Sequence, residues 1–242
     1  MFCMRLVLPL IAGLWSSAAT AQDASHPDLT GTFRLTMRTA TEAKVPVIGT
    51  TIVKTTSKLL ATVTWTGGQY VQTHRTCTVD AIPSRGIAKT VLPPTFIAAL
   101  PVKTYPLRLS QDAQGWAFDA DLMPQSVGYH PDQNGGVMPK DKDNPAIYDW
   151  DEDGKPGASV MVDIPVIGQF RIYMVQFSHA RLTGRVQSAD LVTGKTVMMA
   201  LDQKTIGADN VLFSSSPSVA PAQGHWAFEM ERIADGSTCS DL

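Results

Sequence analysis

Residues Asp149-Trp150-Asp151-Glu152-Asp153-Gly154-Lys155-Pro156-Gly157 place three aspartates at every second position and end on a glycine turn. Alternate side chains of so short a loop converge on one centre, and Gly154 lets the chain bend without a Cβ clash. Ligands that are all oxygen favour Ca2+ over zinc or copper. The candidate metal set is therefore Asp149, Asp151 and Asp153, with Asp163, Asp141, Asp143 or Asn144 to complete the coordination.

No other pattern carries chemistry so directly. His26, His74, His130, His179 and His225 form neither His-x-His nor His-Glu-x-x-His, so zinc has no local support. His130 stands near Asp132 in a polar stretch, whereas His74 and His179 read as residues on strand faces. A Gly-x-Ser-x-Gly elbow is absent, and the only dense carboxylate group is the acidic loop itself. Catalytic residues are therefore not assignable.

Behind the loop the chain reads as an exported β protein. Arg5, the apolar run Leu6–Trp15 and Ala19-Thr20-Ala21 make residues 1–21 a signal peptide, with the mature chain 22–242 beginning at Gln22. Cleavage removes Cys3 and leaves Cys77 and Cys239, which pair in an oxidising compartment, periplasmic or extracellular. Loss of Arg5 takes the net charge from −2 to −3, without any run of basic residues. That balance excludes non-specific nucleic-acid binding.

Two words recur in the same order. Val45-Pro46-Val47-Ile48-Gly49 returns as Ile164-Pro165-Val166-Ile167-Gly168, and Ala113-Gln114-Gly115-Trp116-Ala117-Phe118-Asp119 returns around Trp226. They define repeat one (28–123) and repeat two (147–235), with an acidic connection over 124–157. Segment 31–39 alternates apolar and polar residues, and 50–66 is dense in Thr, Val and Ile, so both read as strands. Gly67-Gly68 predicts a hairpin turn, and Thr193-Gly194 a second one before the strand Lys195–Leu201. Separate strands are predicted over Gln169–Phe177 and Ala180–Ser188, with a helical turn at Thr95–Leu100. Trp116 and Trp226 are expected in matching core layers.

The expected architecture is all-β: duplicated antiparallel meanders closing into one barrel of about eight to ten strands, or stacking as a two-sheet sandwich. Closure into a barrel leaves room for a packed interior or a ligand cavity, and the apolar segment 91–109 is placed to line or plug it.

Residues 149–157 resemble the aspartate-rich calcium loops of EF-hand-like and thrombospondin-repeat proteins. Carried over by position, that resemblance gives Lys155 a ligating backbone carbonyl beside Asp149, Asp151 and Asp153. Val160 stands where an EF-hand carries its bidentate Glu. The longer run through Ile164-Pro165-Val166-Ile167-Gly168 to Asp209-Asn210 resembles exported bacterial β proteins and implies no activity.

These readings converge on an exported calcium-binding module. Calcium would order the connection 124–157 and shape one rim of a cavity for a small apolar or amphipathic ligand, or a surface for a protein partner. Two competing classes share the same features. A secreted hydrolase or lyase would use carboxylates at the barrel rim. A small outer-membrane barrel would need aromatic girdles that a 7% aromatic content hardly furnishes.

Overall fold

The computed structural model describes residues 26–45, 49–84, 89–165, 167–214, 219–222, 224 and 226–242. The expected signal peptide (1–21), which includes Cys3, and Pro46 and His225 lie outside these residues. The strands are β1 (Gly31–Val45), β2 (Gly49–Thr66), β3 (Gln69–Pro83), β4 (Lys89–Val91), β5 (Lys103–Asp112), β6 (Gly115–Asp121) and β7 (Gln125–Val127). They continue as β8 (Ala158–Ile164), β9 (Gly168–Ser188), β10 (Leu191–Ala208), β11 (Val219–Pro221) and β12 (Ala227–Arg232). Among the described residues one α-helix, α1 (Pro94–Ala99), follows β4, close to the helical turn read from the sequence.

All twelve strands belong to one antiparallel sheet, and eight of them close a ring: β1, β2, β3, β5, β6, β9, β10 and β12. The ring is not a regular barrel, because β3 and β9 each change partners along their length. β3 pairs with β5 over Tyr70–His74 and with β4 at Ala81. β9 pairs with β6 over Arg181–Arg185, with β7 over Gln176–Ser178, and with β8 over Gly168–Met174. The gap between the two long strands is thus bridged by β5–β6 at one end and β4–β8 at the other. Helix α1 fills the window between these bridges, with Phe96 packed among Val127, Trp150, Val160 and Met174.

Local sequence accounts for the turns and the breaks in register. Gly67 and Gly68 take φ +60° and +80° in the β2–β3 turn, a pair that glycine adopts without a Cβ clash. Cys77 is an extra residue in β3: Lys58 faces Thr78 while Leu59 faces Thr76. A bulge of this kind re-aims side chains. The inward set on β3 shifts from even positions (His74, Thr76) to odd ones (Val79, Ala81), all of which face the interior. Cys77 is bridged to Cys239 with Cα atoms 5.1 Å apart, tying the C-terminal turn to this strand.

Several expected boundaries are corrected. Gln169–Phe177 and Ala180–Ser188 are one continuous strand, since Ser178 and His179 pair with Leu201 and Ala200 without a turn. Gly194 lies inside β10, not in a turn. It faces Gly184, and a Cβ there would stand 2.3 Å from the Thr183 carbonyl oxygen and 2.6 Å from the Phe228 ring. Glycine serves here for close backbone approach. Trp116 and Trp226 are only half-buried. The core positions in the two recurring words are instead Phe118 and Phe228, 1% and 2% exposed, with ring centroids 5.5 Å apart. Trp116 sits one rung from the β5–β6 turn, where the ring meets solvent. The other recurring words fall at the β1–β2 and β8–β9 hairpins.

The hydrophobic core occupies one end of the ring, where Leu29, Phe33, Leu35, Leu107, Phe118 and Leu182 interdigitate. Beyond these layers the interior is hollow.

Candidate functional site: an acidic loop and an interior cavity

The acidic loop is closed at its neck by backbone hydrogen bonds. The Trp150 amide donates to the Gly157 carbonyl and the Gly157 amide to the Tyr148 carbonyl, each at 2.9 Å. Gly157 has φ +78° and lies against β9, where a Cβ would come within 2.6 Å of the Met174 carbonyl oxygen. Only glycine suits both demands. Trp150 turns inward from the loop and packs on Phe96, centroids 5.0 Å apart.

Within that frame Asp149, Asp151 and Asp153 converge, each offering an oxygen within 4.8 Å of the others. The three carboxylates could hold a metal ion. Asp149 accepts from the amides of Asp153 (3.1 Å) and Gly154 (2.8 Å), and Asp153 from the amide of Lys155 (3.0 Å). Asp151 is 3% exposed. Its Oδ2 accepts from the Ser159 amide at 3.3 Å, while its Oδ1 and the Ser159 hydroxyl are buried without a protein partner. Burial, and then the neighbouring charges of Asp153 and Asp149, push the Asp151 carboxyl above the usual range. A cation would reverse that repulsion and supply the missing partner.

Among the described residues the convergent set contains neither Asp141, Asp143 nor Asp163. Asp143 pairs with Lys142 at 2.8 Å, Asn144 bonds Asn134 and the Ala146 amide, and Asp163 faces Gln169 near the β8–β9 turn. Lys155 is half-buried, with its ammonium 5.8 Å from the Tyr173 ring centroid.

Three residues that the sequence did not single out fasten the loop to the sheet. Arg171 on β9 reaches Asp153 (3.2 Å) and Asp209 (3.3 Å), and the Tyr173 hydroxyl donates to Asp209. Burial and the Asp209 carboxylate push the Tyr173 hydroxyl up to about 12. Arg171 and Tyr173 lie two residues apart on β9, but Asp209 is brought to them only by the β9–β10 pairing.

Most of the connection 124–157 covers the outer face of the ring. Tyr129, Met138 and Ile147 pack on Tyr173 and Val175 of β9. Of its residues only Gln125 and Val127 line the interior. The expected rim role is thereby corrected: the loop stands behind the wall, and reaches the interior through Trp150 and Phe96.

The hollow part of the ring holds a cavity of about 470 Å³. Its walls include Met37, Val53, Leu92, Phe96, Ile172 and Met174, joined by threonines from several strands. Among the described residues no Asp, Glu, Lys or Arg lines it. Two of its polar groups, Thr51 Oγ1 and His74 Nε2, are buried without a partner. Burial pushes His74 down to about 4, so the imidazole is neutral at pH 7. The sequence marked His74 as a face residue and the fold turns that face inward. His179 takes the outer face and meets Asp121 at 2.7 Å, while His130 is exposed and stacks on Tyr148.

The fold and these two features define an all-β ring with a hollow, uncharged interior and an acidic loop on its outer wall. Comparison with known protein families, with curated proteins and with solved structures found no match. Among the described residues no helix is long and apolar enough to cross a membrane.

Proposed function

We propose that this is an exported binding protein that takes a small apolar or amphipathic ligand into the ring. The observation that carries this reading is the hollow, uncharged interior with buried polar groups that have no partner. Buried polar atoms in native proteins are almost always satisfied, by protein, water or ligand. The volume of about 470 Å³ also lies within the range of small-molecule sites.

Calcium on Asp149, Asp151 and Asp153 completes the proposal. The donors are hard oxygens, and Asp151 Oδ1 lacks a partner. The cation would hold Trp150 against Phe96, and Phe96 lines the cavity. Ordering of the loop is thereby coupled to the shape of one wall. Export is supported by residues 1–21 and by the Cys77–Cys239 bridge, which belongs to an oxidising compartment.

The competing classes find less support. Carboxylates at a barrel rim were the basis of the hydrolase reading, and the acidic cluster lies behind the wall. The outward faces of β5, β6 and β9 carry the ion pairs Asp119–Arg181 (2.7 Å) and Asp112–Arg185 (2.6 Å). Cationic side chains facing lipid at the bilayer midplane would cost about 2–4 kcal/mol each.

N-phenylnaphthylamine, an uncharged dye that brightens in apolar surroundings, tests the ligand site. Saturable binding to the wild type is expected, with loss of binding in Ser57→Phe, which projects a ring into the cavity from β2. The melting temperature of that variant should stay within about 3 °C of wild type, since the ring fills empty space. Equal binding by both proteins would place the dye elsewhere and contradict the reading.

A further inference from the structure

The polar groups at the packed end of the cavity are grouped. β3 turns His74 onto the cavity wall, 5% exposed, with Gln72 two residues deeper, 0% exposed and outside that wall. Tyr105 stands opposite Gln72 on β5, its ring 5.2 Å from His74, and its hydroxyl is pushed up to about 12 by burial. Gln72 Oε1, Gln72 Nε2 and His74 Nε2 all lack a partner. Below them the hydrophobic core closes the ring.

In the other direction the space is long. Inward residues of β2 line it from Leu59 back to Thr51, at every second position. At about 3.3 Å per residue that is about 26 Å of strand.

Resting on the ligand-binding reading above, we propose that the ligand is an uncharged single-chain amphiphile bound head first. A small hydroxyl or amide head meets His74, beside Tyr105, and a hydrocarbon chain runs along β2 toward Thr51. A neutral imidazole nitrogen donates or accepts according to tautomer, and a hydroxyl or amide head complements either. An ionised head would be stranded, because among the described residues no Asp, Glu, Lys or Arg lines the cavity to compensate it.

The test is displacement of bound N-phenylnaphthylamine at pH 7, with calcium present, by dodecanol, dodecanoate or dodecylammonium. Dodecanol should displace the dye, and either ion should be weaker by about tenfold or more. His74→Phe should weaken dodecanol by about tenfold while dye affinity is kept. Its melting temperature should hold or rise, since it removes a buried unpartnered polar atom. Dodecanoate equal to dodecanol would put the head at the far end and overturn the proposal, as would a His74→Phe variant that binds dodecanol normally. The comparison of alcohol with ions uses wild type alone and so does not depend on the variant folding. Failure of the dye itself to bind would instead defeat the ligand-binding reading.

Discussion

Removal of the Cys77–Cys239 bridge should lower the melting temperature by roughly 8–20 °C. The two cysteines are 162 residues apart in a chain of 242, so the bridge closes most of the unfolded chain into a loop. In the chain-entropy model a loop of this size is worth roughly 4–5 kcal/mol, and in a chain of this length each kcal/mol shifts melting by about 2–4 °C. Cys77→Ser combined with Cys239→Ser avoids stray thiols, and thermal unfolding by circular dichroism reads the change. The bulge at Cys77 and the bond from Lys58 Nζ to the Leu242 carbonyl (3.1 Å) place the C-terminal turn against β2 and β3. An unchanged melting temperature would mean that the bridge contributes nothing to the folded state.

The second large effect is a crossover in the response to calcium. Calcium at a hundred times its dissociation constant should stabilise the wild type by about 2.7 kcal/mol, roughly 5–10 °C. Asp151→Asn should lose that rise. In excess chelator the same variant should melt at or above the wild type, because it removes a carboxylate whose ionisation burial and two neighbours oppose.

The pH dependence in chelator follows the same sign. A carboxyl raised in the folded state binds its proton more tightly there than in the unfolded chain. Its contribution to stability therefore grows as pH falls through the raised value toward 3.8. Asp209 and Asp121 act oppositely. The Tyr173 hydroxyl and the His179 ring, respectively, hold them low, so their stabilisation is lost on acidification. The difference between wild type and Asp151→Asn isolates the loop from these background carboxylates. Identical melting of the two proteins, with calcium and with chelator, would leave the acidic run as a solvated turn.

Much of the fold was legible because local chemistry dictated it. Gly67-Gly68 specified a hairpin by backbone sterics, and the alternation over 31–39 placed Phe33 and Leu35 in the core. The aspartate spacing specified convergence of the three carboxylates. What was illegible depended on long-range register. Nothing near Cys77 announces a bulge, yet that one residue decides which face of β3 lines the cavity. Gly194 looked like a turn, because close backbone approach and turn geometry call for the same residue type. Arg171, Tyr173 and Asp209 gain their roles only when β9 and β10 pair. The polar pair Gln72 and His74 looks like surface until the ring closes around it.

The most direct test is a crystal structure of the protein grown with bromododecanol and calcium, read for the anomalous signal of bromine. Bromine is expected inside the ring, between β2 and β9, on the Thr51 side of Phe96, with the hydroxyl beside His74. A bromine signal confined to the outer surface, with the interior holding only water, would contradict a ligand-binding ring.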